Sequence, residues 1–256
     1  MNRIIDFENP DTYPGWIWTL FSKYPAFQII YEHAQRDRGD FAYWLEKYID
    51  DADGLINAIK QNLKDWGGAA YHITRVIDVE SIKQNGLKVM MFRDYMDRME
   101  YVFTHVLKYT CDEVTRCKNV LREKLIHEQA CRIGQLSFFA PSSKYNLEKR
   151  DNGYLSLYGS IVGGEVANQA FQGNENILSD LQKSGKMSLI KAKFYIATLL
   201  ENCENDAYGF VCSLLYFAAQ YFYSKHLNDD AIILGQVSQS VPPENICEVI
   251  TVDDIE

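Results

Sequence analysis

From Gly15 to Asp65 apolar residues recur at three- and four-residue intervals, first in PGWIWTLFSKYPAFQIIYEHAQRD and again in FAYWLEKYIDDADGLINAIKQNLKDW. Side chains so spaced share one face of an α-helix, so 15–65 predicts helices, with Asp53-Gly54 as a candidate break. Trp66-Gly67-Gly68 interrupts the period, and Ala69 to Ile73 is a short apolar run that predicts a buried strand. The architecture is therefore expected to change near residue 67. Asp78 is placed to cap a helix through Val79, Ile82 and Lys83, and Asn85-Gly86 to end it in a left-handed turn. Helical spacing returns from Asp94 to about Arg132, through Met96, Met99, Phe103, Val106, Leu107, Val114, Cys117, Leu121 and Leu125. A stretch of this length predicts two helices or one long arm, with a join near Tyr109 to Asp112.

The second half changes texture. QLSFFAP (135–141), GYLSLY (153–158), SLIKAKFYIAT (188–198), AIILGQV (231–237) and ICEVITV (246–252) are rich in β-branched and aromatic residues and bounded by Gly, Pro, Asn or Asp, which predicts strands. A helix is expected from near Gly164 in GEVANQAF, and another over 207–226. The fold class is thus α+β: a helical N-terminal region, 1–67, and an α+β domain, 68–256, with a helical insertion at about 94–133. AYGFVCSLLYFAAQYFY (207–223) is almost free of charge, but it is at the short limit for a membrane span and carries Ser213, Gln220 and several tyrosines. It reads as a buried helix, with no membrane as partner.

Composition narrows the possibilities further. With 256 residues, 47% of them hydrophobic, the chain can build a sizeable core without disulfide staples. A net charge of -9 opposes a surface built throughout to hold nucleic acid. The start MNRIIDFENPDTYPGW has neither an apolar run nor a small-residue cleavage site, and the six cysteines are irregularly spaced. Both features predict reduced thiols in a cytoplasmic protein. His127 and Cys131 stand four apart with Cys111 and Cys117 upstream, but no CxxC knuckle accompanies them, so no metal is expected. No GxxxxGK[ST], GxSxG or HExxH occurs, which removes support for the enzyme classes built on those motifs.

What remains is an ordered set: YHITRVIDVESIKQNGL at 71–87, GYLSLYGSIVGGEVANQAF from 153, and a terminal strand leading into VPPENICEVI. Together these resemble the ADP-ribosyltransferase-like fold, a split β-sheet core in which a Tyr-His-x-Thr strand precedes a helix ending in Gly-Leu. A Gly-x-Tyr-x-Ser strand follows there, then a helix, and late in the chain a strand bearing a catalytic glutamate before a Pro-Pro-Glu-x-Ile connection. The resemblance covers 69–92, 135–172 and 187–252. It implies NAD as substrate, held by His72 with Thr74 beside it and by Tyr154, on which nicotinamide would stack; Tyr158 is a further candidate for NAD binding, and Arg75 is either a phosphate contact or a surface residue. It also implies a macromolecular acceptor and the setting of a bacterial or phage toxin or effector.

The chemistry suits these residue types. An aromatic face favours a cationic ring, and a fixed histidine donor holds the ribose while the glycosidic bond stretches. The departure from the pattern is the carboxylate, because NDDAIILGQVSQS contains no glutamate and Gln236 stands where one is wanted. Asp230 or Glu165 would then have to supply the charge that stabilises an oxocarbenium-like state. The related RNA 2'-phosphotransferase branch needs more basic residues than Arg75 and Arg93 provide. The alternative of another class is a non-catalytic α+β scaffold that binds a protein partner through the helices at 15–65 and 94–132.

Overall fold

The computed structural model of the chain describes residues 3–36, 41–127, 134–140, 170–200, 204–227 and 232–251. It is a mixed α+β protein whose described residues divide into two compact units. One holds the described residues up to Tyr71, with 137–140, 192–200, 204–227 and 232–237. The other holds His72 to Leu136, then 170–191 and 238–251. The boundary expected near residue 67 falls on the first residue of a strand, whereas the units part between Tyr71 and His72.

The first unit opens with β1 (Ile4–Asp6) and a 3₁₀ turn, Pro10–Thr12, and continues through the four helices that the N-terminal period predicts. These are α1 (Gly15–Lys23), α2 (Ala26–Arg36), α3 (Phe41–Tyr48) and α4 (Ala52–Leu63). The break does not fall at Asp53-Gly54. Asp51 caps α4 by accepting from Gly54 N at 3.0 Å, so Gly54 lies in the first turn of the helix it was expected to interrupt. Strand β2 (Gly67–Val76) extends past the predicted run at both ends. Its Gly68 is a packing residue, since a Cβ there would stand 2.6 Å from the Phe194 ring.

The remaining strands are β3 (Leu136–Ala140), β4 (Lys186–Tyr195), β5 (Ile232–Val237) and β6 (Ile246–Thr251), each inside a predicted run except for the start of β4. In the first unit the strand order is β5-β3-β2-β4, with β1 parallel to β2 through Ile4↔Gly67 and β3 antiparallel to it through Tyr71↔Phe139. The second unit has the order β2-β4-β6.

Beyond α5 (Val79–Asn85), α6 (Phe92–Tyr101) and α7 (Cys111–His127), three helices lie in the second half: α8 (Glu175–Lys183), α9 (Ile196–Leu200) and α10 (Glu204–Ser224). The uncharged stretch forms α10, and Phe210, Val211, Leu214, Leu215, Phe217, Ala218 and Ala219 along it are all buried. It packs against α1, α2, α3, α4, α9 and β5, and this explains its lack of a polar face. Phe7 meets Phe210 and Phe217 edge-on at 5.8 and 6.2 Å, and Trp18 stacks on Tyr13 at 5.7 Å. Each aromatic contact of this kind adds about 0.5–1.5 kcal/mol to the area term. No helix among the described residues is long and apolar enough to cross a membrane.

In the second unit the join between α6 and α7 falls where the spacing predicts. A π-helical turn, Val102–Val106, ends α6, and Lys108 takes φ 59°. Thr110 and Glu113 then start α7 as a capping box, with Thr110 N donating to Glu113 Oε2 at 2.8 Å. Tyr95, Met96, Met99, Val102, Phe103, Val114, Cys117 and Leu121 close on Phe171 and Leu181 as one core. Leu181 belongs to α8, a helix that the sequence reading did not anticipate. The strand expected at 153–158 and the helix start near Gly164 lie outside the described residues.

Gly86 ends α5 as predicted, though its φ of 71° and ψ of -166° are not those of a left-handed helical turn. They belong to a region that is essentially glycine's alone. A Cβ there would stand 2.0 Å from the Val241 carbonyl oxygen. Gly173 also has a positive φ, 87°, but has open space where a Cβ would go. Gly173→Ala is expected to cost only backbone strain, about 1–2 kcal/mol. Gly86→Ala should cost clearly more, because the Val241 backbone must also move. Chemical denaturation of the two variants side by side checks the order, and equal losses would contradict it.

Candidate functional site

Apart from Tyr71 and Gln236, the described motif residues gather in the second unit, around the end of β2 and the helix after it. Asp78 caps α5 by accepting from Glu80 N at 3.0 Å, and the Gly86 N–H donates to Ile82 O at 2.8 Å. Directly after this glycine stop, Leu87 and Val241 pair in both directions: Leu87 N donates to Val241 O at 2.9 Å and Val241 N to Leu87 O at 2.8 Å. Val89 N adds a bond to Ser240 Oγ at 3.0 Å. The Gln-Asn-Gly-Leu stretch and the Val-Pro-Pro-Glu stretch, far apart in sequence, thus lie side by side. Helix α5 also packs on the 3₁₀ turn Pro243–Asn245 and on β6.

Strand geometry sorts the three predicted binding residues of β2. Successive side chains point to opposite faces, so His72 and Thr74 share one face and Arg75 belongs to the other. All three are half-buried. The Arg75 Nη1 donates to the Gly185 carbonyl at 3.3 Å, while its buried Nε has no hydrogen-bond partner. Burial pushes the guanidinium below its ordinary range. The structure therefore brings His72 and Thr74 together and separates Arg75 from them.

Tyr154, Tyr158, Glu165 and Asp230 lie outside the described residues. Gln236, at the position where a glutamate is wanted, sits on β5 in the first unit and donates from Nε2 to Ser137 Oγ at 3.4 Å. Arg93 is on the exposed side of α6, 3.9 Å from Asp97, in an ordinary surface ion pair.

For the metal candidates, Cys111 is exposed, Cys117 is buried in the α6–α7 core, and both are free thiols. Burial pushes the Cys117 thiol up, away from the thiolate that metal ligation needs. His127 is the last residue of α7, and Cys131 lies outside the described residues. Among the described residues no three His, Cys, Asp or Glu side chains converge as ligands.

Two polar features escaped the sequence reading. Tyr109 donates to Asp180 at 2.8 Å beside the Phe103 ring, and burial, followed by this bond, pushes its phenol up. Gln135, just ahead of β3, has a buried Oε1 with no hydrogen-bond partner. A polar residue opening an apolar strand was the available signal, but nothing local marks its carboxamide as unsatisfied.

No family model, curated protein or solved structure matches the chain.

Proposed function

We propose that the chain is an ADP-ribosyltransferase-like protein that consumes NAD and transfers ADP-ribose to a macromolecular acceptor. The observation that carries this reading is the two-way pairing of Leu87 with Val241, which joins two of the motifs on which the resemblance rests. Further support comes from His72 and Thr74, which share one face of β2 a short distance upstream of that pairing in sequence.

In the reaction, the bond between the nicotinamide nitrogen and the ribose carbon breaks and nicotinamide leaves with the electron pair. The oxocarbenium-like ribose is then captured by a nucleophile of the acceptor, which loses a proton. His72 holds the ribose and Thr74 supports it, while Tyr154 and Tyr158 offer aromatic faces to the ring. Asp230 or Glu165 supplies the negative charge that lowers the barrier. The sheet is read as the split core of that fold.

A second reading has one observation in its favour. Gln236 carries a carboxamide where the resemblance wants a carboxylate, and it is engaged with Ser137. The chain would then be an inactive scaffold of the same fold, working through its helices.

Nicotinamide release and label transfer from labelled NAD separate the two readings. The transferase reading expects release by the intact protein and a loss of tenfold or more in His72→Ala, about 1.4 kcal/mol or more of transition-state stabilisation. No binding of NAD by calorimetry and no release would overturn it in favour of the scaffold. Asp230→Asn and Glu165→Gln assign the acid: the residue that serves should cost roughly 10²- to 10⁴-fold in rate, and the other little. Full activity in both variants would remove these two residues from the mechanism.

A further inference from the structure

The junction that leads from α5 to the Leu87–Val241 pairing contains Asn85-Gly86, and this dipeptide has a reactivity beyond any role in ligand binding. An asparagine carboxamide is an acyl group within reach of the next residue's backbone nitrogen, and a following glycine, with no Cβ, leaves the approach unhindered. In the reaction this permits, the Gly86 nitrogen attacks Asn85 Cγ, a new N–C bond closes a cyclic imide, and the Cγ–Nδ2 bond breaks. The proton of the Gly86 N–H passes to the departing nitrogen, which leaves as ammonia. Water then opens the imide at one carbonyl or the other, giving aspartate or isoaspartate. In isoaspartate the backbone runs through the former side chain and is one carbon longer.

The folded chain opposes each part of this reaction. Asn85 is the last residue of α5, and ring closure needs it to leave the helical backbone geometry. The attacking nitrogen holds its proton in a bond to Ile82 O at 2.8 Å. The departing nitrogen, Asn85 Nδ2, donates to Ser81 O at 3.0 Å and lies 3.4 Å from Ser81 Oγ. Access of water is not opposed, because Asn85 is exposed. Opening the last turn of α5 releases these restraints together, and the end of a seven-residue helix is a segment that opens before the core does.

The chain beyond has no slack. Gly86, at φ 71°, lies so close to Val241 that a Cβ would stand 2.0 Å from the carbonyl oxygen, and the buried Leu87 is bonded to Val241 at 2.9 and 2.8 Å. An extra backbone carbon ahead of Gly86 must shift Leu87 off that register.

We infer that Asn85 is a modification site held closed by the last turn of α5. It converts to isoaspartate and aspartate only when that turn opens, and isoaspartate there uncouples Leu87 from Val241. The inference uses neither NAD nor His72, so it does not rest on the transferase reading.

The test follows Asn85 by peptide mapping with mass spectrometry while the full chain is incubated at mildly alkaline pH. Expected are conversion at least tenfold faster in the guanidinium-unfolded chain than in the folded one, and severalfold faster in folded Asp78→Ala, which lacks the α5 cap, than in the folded unaltered chain. In sub-denaturing guanidinium chloride the conversion rate and the hydrogen-exchange rate of the Gly86 amide should rise together, a measurement that needs no variant. For the consequence, chain aged while unfolded is refolded and its isoaspartate form separated from the unconverted form. The isoaspartate form should melt below the unconverted chain and below Asn85→Asp, which has the same charge on an ordinary backbone. Failure of that form to refold where Asn85→Asp folds would count the same way. Equal rates in folded and unfolded chain, no acceleration in folded Asp78→Ala, conversion that does not follow Gly86 exchange, or an isoaspartate form that melts with Asn85→Asp would each overturn the inference. NAD turnover enters none of these measurements, so the two proposals fail separately.

Discussion

A strand with a buried backbone must find a partner for its N–H and C=O groups, and β2 is the element on which that demand falls hardest. All of Gly67–Tyr71 is buried, and Ile73 and Val76 follow. The demand is met by β1 along Gly67–Ala69, by β3 at Tyr71 and by β4 as a neighbour. Much else follows from this pairing. Gly68 lacks a side chain because the Phe194 ring occupies the space a Cβ would need. The regular pleat of a paired strand also fixes that residues 72 and 74 face one way and 75 the other. The separation of the His72 face from Arg75 is thus a consequence of sheet pairing.

Around the first unit's part of the sheet, α10 plays the role of a core element. Its apolar surface has no polar side because α1, α2, α3, α4, α9 and β5 all pack on it, and Phe7, Trp18 and Phe21 bring aromatic rings to its neighbourhood. The same composition that brings 207–223 near the limit for a membrane span is what an enclosed helix requires. In the second unit the equivalent work is done by α6, α7 and α8, closed around Phe103 and Met99.

Much of this was legible locally. The helices at 15–65, the Asp78 cap, the glycine at 86 and the join before Thr110 depend on side-chain spacing, on a capping oxygen or on a residue without Cβ, and all of these act within a few residues. Local signals failed where two readings of one dipeptide compete. Asp53-Gly54 resembles a break, yet the oxygen that caps α4 is Asp51's, and this places Gly54 inside the helix. Gly67-Gly68 interrupts the helical period and is the start of a strand, whose partners, Ile4 and Ile5, lie more than sixty residues away. Helix α8 is short, and Leu181 reads as a core residue only once Phe103 and Phe171 are beside it.

The sequence by itself determined the α+β class, most helices and strands, and the order of the motifs that suggests an NAD-consuming transferase. Only the tertiary structure decided that Leu87 lies on Val241, that Arg75 faces away from His72, and that Arg75 and Gln135 keep buried polar atoms without partners. The reason is physical. Helix and turn preferences come from neighbours in the chain, whereas the satisfaction of a buried donor or acceptor depends on every group that folding brings near it. For Arg75 that group is the carbonyl of Gly185, which no local pattern connects to it.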